Sequence, residues 1–353
     1  MRHVADWETV KERYEAWWTG KLTKGPILKI QAPSGETPSS RPPVNQSENM
    51  EKQWLDVSRR IEAYRAALSR CVFLGDEFPH YFVNFGPGIA ATYLNSEPVF
   101  APDTVWFNPL PVSDLEEIEP YLKFDPKNPW WKITCAHIQA ALHASQGDFM
   151  VSHTDLGGVL DILASLRGTE KLLTDLIEQP EVVKRLEAKI IDLWFTYYDE
   201  LRKLCKKAGQ DGAGAWMGLW AQETWYPLQC DFSAMISPDM FAEFVAPNLR
   251  RQCQRLTHSV YHWDGPDEIP HLDHLLAIDE LEAIQWTPGA GNPGVDSEVW
   301  LSLYRRIAER GKGVVLLGAR PDRVKWLTSV LPAERLLIGV SCKTQAEAEE
   351  LMA

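Results

Sequence analysis

The densest group of residues able to do chemistry is Tyr261-His262-Trp263-Asp264-Gly265, at the end of an apolar run. Side chains two apart on a strand share a face, so His262 and Asp264 would reach one side together. Such a pair suits metal ligation or proton transfer, with a plain hydrogen-bonded pair at a strand end as the competing reading. Cys342 closes Ile338-Gly339-Val340-Ser341-Cys342. With His262 and Asp264 its thiolate would complete a zinc site with an open fourth position, although a lone cysteine also reads as a small buried hydrophobe.

Carboxylates end other apolar runs. Asp76 and Glu77 follow Cys71-Val72-Phe73-Leu74-Gly75 and read as an acid/base pair, an anchor for a cationic group, or exposed loop acids. Glu223 lies in the tryptophan-rich segment 216–225 as a base, a further ligand or a solvated carboxylate. Asp155 and Asp231 also fall at predicted strand ends. Trp220, Trp225 and Trp263 read as walls for a flat or apolar ligand, with core packing as the alternative. His271 and His274, three apart on a predicted helix, fit a surface face better than a metal site.

Positioning these residues requires a repeating frame. Apolar runs at 26–30, 71–76, 149–152, 214–218, 259–262, 281–286, 313–317 and 336–340 read as eight strands. From the third onward they alternate with helical patterns at 160–179, 183–204, 237–256, 267–277, 296–310, 321–331 and from 345. That order predicts an α/β fold, a single (β/α)8 TIM barrel over residues 1–353. No Gly-x-Gly-x-x-Gly follows a strand, which argues against an open dinucleotide-binding sheet. Residues 1–25 read as an N-terminal helical extension, 33–47 as a Pro/Ser loop, and 93–131 as an aromatic-rich insertion or lid after strand 2. In a barrel Asp76, Asp155, Glu223, Asp231, His262, Asp264 and Cys342 would converge on one mouth.

Charge narrows the class of partner. The 36 Lys and Arg against 49 Asp and Glu give a net charge of −13, which repels phosphate backbones and anionic lipid. The opening Met1-Arg2-His3-Val4-Ala5-Asp6 lacks a signal-peptide core, and the six cysteines form no Cys-x-x-Cys pair. The expectation is a cytoplasmic protein with a small-molecule substrate and neither nucleic acid nor membrane as partner.

The run Gln229-Cys230-Asp231-Phe232-Ser233-Ala234-Met235-Ile236-Ser237-Pro238-Asp239-Met240-Phe241, followed by Phe244, Pro247 and Arg250, resembles the central signature of the uroporphyrinogen decarboxylase superfamily. Further similar features are Asp76, the Gly86-Pro87-Gly88 turn, His262-x-x-Gly265 and a last strand feeding an Ala/Glu-rich helix, together spanning roughly residues 70 to 350. The resemblance implies a (β/α)8 barrel and either of two chemistries: cofactor-free tetrapyrrole decarboxylation, or zinc-dependent methyl transfer involving corrinoid proteins, thiols or folates.

The decarboxylases carry arginines after the first strand, a tyrosine after a middle strand and a histidine near the last. Here 28–33 has no arginine, 150–158 has no tyrosine, and the last strand ends in Cys342. The methyltransferase branch places zinc on a His-x-Cys pair and a distant Cys. His262 and Cys342 match, with Asp264 standing where a Cys would be. The leading expectation is therefore a metal-assisted methyltransferase using a partner's corrinoid, with Zn on His262, Asp264 and Cys342. Asp76 and Glu223 are its expected catalytic groups, and Trp220, Trp225, Asp231 and Trp263 its expected substrate contacts. Decarboxylation of a smaller tetrapyrrole or carboxylated aromatic, a non-catalytic ligand-binding barrel, and a glycosidase are the alternatives.

Overall fold

Strands form where the sequence alternates or runs apolar with β-branched and aromatic residues, as in His258-Ser259-Val260-Tyr261-His262-Trp263-Asp264, and helices where apolar residues recur every three to four. In the computed structural model, which describes residues 1–35 and 49–352, thirteen strands result. They are β1 (Ile27–Pro33), β2 (Cys71–Gly75), β3 (His80–Phe82), β4 (Glu97–Phe100), β5 (Val105–Asn108), β6 (Met150–Ser152), β7 (Ala213–Gly214), β8 (Trp220–Ala221), β9 (Trp225–Leu228), β10 (His258–Asp264), β11 (Ala283–Thr287), β12 (Gly313–Ala319) and β13 (Leu336–Ser341). Most of the predicted Pro/Ser loop lies outside the described residues.

The architecture is mixed α/β around a seven-stranded sheet in the order β2-β1-β13-β12-β11-β10-β9. Every pairing in it is parallel except β1 with β2. The ladder does not return from β9 to β2, so the hydrogen-bonded sheet is open. A separate parallel pair, β3 with β6, and two antiparallel pairs, β4 with β5 and β7 with β8, complete the strands.

Strand β2 is the main departure from the predicted order. It runs antiparallel to β1, with Lys29 opposite Gly75 and Pro33 opposite Cys71, so its final residues lie at the amino end of the sheet. The parallel strand expected there is instead the short β3 immediately after it. The N-terminal segment is not an appendage. Helix Trp7–Trp18 buries Tyr14, Trp17 and Trp18 in the same continuous core that takes in Ile338 and Ala348 at the other end of the chain.

Within 93–131 the chain forms the β4–β5 hairpin and a 3-10 helix at Leu115–Tyr121, followed by the long helix Pro129–Ser145. The predicted helix at 160–179 is two helices, Val159–Arg167 and Thr169–Glu178, broken at Gly168, whose φ of 90° requires glycine. No helix among the described residues is long and apolar enough to cross a membrane.

Candidate functional site

Residues just beyond a strand's carboxyl end are released from the ladder while their strand stays fixed, and here four such ends meet. Backbone bonds from Val83 N–H to Ser152 O (3.0 Å) and from Ile89 N–H to Asp155 O (3.0 Å) hold the segments after β3 and β6 side by side. Asp155 follows β6, Gln229 and Asp231 follow β9, and His262 lies on β10, and all four line one cavity of about 220 Å³. Asp103 and Thr104, at the tip of the β4–β5 hairpin, close it from above, and Trp54 and Trp216 flank it. Trp54 donates to Ala101 O (2.8 Å), which ties the hairpin tip down.

Gln229 and Asp231 also border a larger, mainly apolar cavity of about 480 Å³, walled by Trp106 and Phe107 of the hairpin and by Phe232 and Met235. The insertion read from the sequence as a lid thus forms part of both cavities.

Gly157 shows how closely the two loops approach. Its φ is +81°, and a Cβ there would sit 2.7 Å from Gly88 Cα, so neither the conformation nor the space admits a side chain. Gly157→Ala should separate the loops after β3 and β6 and destabilise the protein by about 1–3 kcal/mol. Chemical denaturation checks this, and an unchanged unfolding midpoint would count against the contact.

His262 is held in one orientation. Gln285, directly opposite it on β11, donates from Nε2 to Thr287 Oγ1 (2.7 Å), so its Oε1 is turned toward His262 Nδ1, with which it is hydrogen-bonded. On this network Nδ1 carries the proton. Nε2 is then the basic nitrogen, 4.0 Å from Asp264 Oδ2, while the ring meets Trp216 edge to face at 5.0 Å.

Four nearby carboxyl groups, Asp155, Asp161, Asp231 and Glu268, have raised pKa values. Asp155 is buried, and burial pushes its pKa up to about 6, although Oδ1 accepts from Gly157 N–H (2.8 Å) and Tyr226 O–H (3.2 Å). Asp161 accepts from the N–H groups of Asp231 (3.1 Å) and Phe232 (2.8 Å) at the start of the 3-10 helix Asp231–Met235, and burial, then Asp231, push it up to about 7. Asp231 itself opens onto the cleft. Crowding by protein raises its pKa, His262 opposes that rise, and Asp264 adds to it. Glu268, buried behind the site, is pushed up to about 9 by burial and by Asp231 and Asp161. His153, stacked on Tyr226, is pushed down to about 4 by burial and stays neutral.

The sign of the Asp155 shift gives a stability prediction. Its pKa rises from 3.8 to about 6 on folding, so the folded state holds that proton more tightly and stability falls as pH rises through this window. The shift corresponds to about 3 kcal/mol. Urea unfolding at pH 4 and pH 7.5 should show Asp155→Asn gaining about that much relative to the parent at the higher pH. A pH-independent difference would contradict the shift.

Several residues read from the sequence as site members lie elsewhere. Asp76 is at the amino end of the sheet, where its N–H donates to Leu28 O (2.8 Å), Leu28 N–H donates to Oδ2 (2.8 Å), and Arg13 binds both carboxylate oxygens (2.6 and 3.1 Å). It is a structural clamp, because the antiparallel β2 carries its end away from the mouth. Glu223 precedes β9, is exposed, and lies 3.6 Å from Lys206. Trp225 is the first residue of β9, with its indole N–H donating to Ala213 O (2.8 Å). Trp220 is packed by the N-terminal helix, accepting at its carbonyl from the Trp18 indole (2.9 Å). Trp263 alternates with His262 and Asp264 and so faces away from the cleft, against Trp286.

Cys342 lies beyond β13, where burial and Glu347 of the closing helix raise its pKa. Among the described residues no group of three His, Cys, Asp or Glu side chains is placed to hold a metal ion. His262, Asp264 and Cys342 therefore do not fit zinc as a set. Of the residues expected at one mouth, Asp155, Asp231, His262 and Asp264 come together. Asp161, Gln229, Glu268 and Asp103 were not singled out from the sequence. Asp161, a lone acid in Val159-Leu160-Asp161-Ile162-Leu163, was the one with a visible signal.

No protein-family model matches the chain, and no curated protein matches it.

Proposed function

We propose that the protein is an enzyme of uroporphyrinogen decarboxylase-like (β/α)8 type, acting in the acidic cleft on a neutral or cationic small molecule, and that its reaction is methyl transfer. Ring closure is part of the proposal. Lys29 on β1 reaches across to Gly218 O and pairs with Glu77 (3.0 Å), while Gly218 packs on the His80 ring of β3. Gly214 of β7 approaches Met150 and Ser152 of β6. These contacts support a ring in which β3, β6 and β7 span the side left open by the ladder.

The observation that carries the choice of reaction is the charge of the cleft. Asp103, Asp155, Asp161, Asp231 and His262 line the two cavities, and among the described residues no Lys or Arg does. A decarboxylase must hold substrate carboxylates, and these walls would repel them. Methyl transfer makes no such demand. As the methyl carbon leaves oxygen for a low-valent corrinoid or thiolate acceptor, the leaving oxygen takes a proton, and Asp155, with a pKa near neutrality, is suited to supply it. Asp155 is left as the carboxylate, and a proton taken from solvent returns to it by way of His262 Nε2. Exposed Trp106 and Met235 flank the open mouth, the side from which a partner-borne acceptor would approach.

The test offers purified protein cob(I)alamin with methoxy or N-methyl donors, watches the visible spectrum for alkylated cobalt, and separately offers uroporphyrinogen. The expected result is donor-dependent alkylation with no decarboxylation. Decarboxylation of uroporphyrinogen lost in Asp231→Asn would overturn this reading in favour of the cofactor-free alternative.

A further inference from the structure

Hydrogen-bond accounting at the junction of the two cavities specifies what the ligand must offer. Gln229 is only 6% exposed and forms wall in both cavities, yet its Oε1 has no hydrogen-bond partner. A buried acceptor left unmade costs free energy that a ligand N–H would recover. Beside it, Asp155, also 6% exposed, spends both of its hydrogen bonds on Oδ1. Asp231 opens onto the same space, and Asp103 faces it from the hairpin. His262 Nδ1–H is already taken by Gln285.

Acceptors and negative charge therefore dominate around a small polar chamber that opens into a larger apolar one. The walls of the small chamber include Trp54, Phe82 and Trp216, residue types whose rings can accommodate a cation.

We propose that this site recognises a protonated amine that keeps at least one N–H, with an oxygen close to the nitrogen and an apolar ring or chain that fills the cavity beside Trp106, Phe107 and Phe232. The ammonium sits between Gln229 Oε1 and Asp231, and the ligand's oxygen faces Asp155, whose Oδ2 makes no hydrogen bond. This inference rests on the cleft being the substrate site, as in the methyl-transfer reading, and assigns the substrate class of that site.

Calorimetry with four probes tests it: 2-amino-1-phenylethanol, 2-phenylethylamine, 2-phenylethanol and phenylacetate. The amine should bind at least about tenfold more tightly than the isosteric alcohol, because both partners of the ammonium–carboxylate bond are charged whereas the hydroxyl brings no charge of its own. The amino alcohol should bind more tightly still, and phenylacetate not at all. Asp231→Asn, at a position open to the cleft, should weaken the amine about tenfold and the alcohol by much less. Gln229→Leu, checked for folding by its denaturation profile, should weaken the amine as well.

Equal affinity for amine and alcohol, tightest binding by phenylacetate, or no amine binding at millimolar concentration would each overturn the proposal. Amine selectivity without cobalt alkylation would leave this inference standing and remove the methyl-transfer reading. Alkylation from neutral methoxy donors with no preference for amines would do the reverse.

Discussion

Replacing Asp76 with alanine should destabilise the protein by about 3–5 kcal/mol while leaving ligand affinity of the folded fraction unchanged. The carboxylate is 3% exposed and paired with an Arg13 guanidinium that is itself 24% exposed, so the variant leaves a largely desolvated cation without its partner. It also orphans the Leu28 N–H at the start of β1. Arg13 bonds in addition to the carbonyls of Lys24 (2.7 Å) and Pro26 (2.6 Å), so the same group fixes the path of the chain from the N-terminal helix into the sheet. Against a typical domain stability of about 5–15 kcal/mol this loss is large. Equilibrium denaturation with a binding measurement on the folded fraction checks it. A fully stable Asp76→Ala variant that no longer binds ligand would restore Asp76 to the site.

The second large effect belongs to His262. His262→Gln keeps a polar group of similar length that can still bond Gln285 but cannot carry a proton near neutral pH. Turnover should fall about 10²–10⁴-fold, the usual worth of a positioned acid/base group. Gln285→Leu should show a smaller loss, since it frees the ring to change tautomer without removing it. A His262→Gln variant within twofold of the parent would mean that the Nε2 lone pair takes no part.

The sequence made some of this legible and hid the rest for definable reasons. His262 and Asp264 were readable because strand alternation is local: two residues apart on β10 suffices to place them on one face and Trp263 on the other. Asp231 was marked by the Gln229–Phe241 run that resembles the superfamily signature, not by a predicted strand. Asp76 was misread because the direction of β2 is set by pairing with β1, a long-range choice that the run Cys71–Gly75 does not encode.

Trp225 and Trp220 were assigned to a pocket because aromatic content is visible in sequence while depth along the strand axis is not. β9 itself was obscured by Pro227, which is uncommon inside a ladder. Cys342 follows β13, whose Ser341 lies opposite Gln31, and sits near Glu347 of the closing helix, and it is not among the residues that line either cavity. Gln229 carried no signal at all, since an unpartnered acceptor is a property of the assembled walls.

Charge was the most transferable reading. A net of −13 already disfavoured polyanionic partners, and the cleft concentrates that bias where a substrate would bind.

The central claim is that chemistry occurs where the loops after β3, β6 and β9 meet His262, and not at the Asp76 end of the sheet. The measurement that tests it most directly is turnover per folded molecule, by cobalt alkylation, in Asp231→Asn, His262→Gln and Asp76→Asn made side by side. Loss in the first two with near-parental turnover in the third is the predicted result. Survival of activity in both cleft variants, or its selective loss in folded Asp76→Asn, would contradict it.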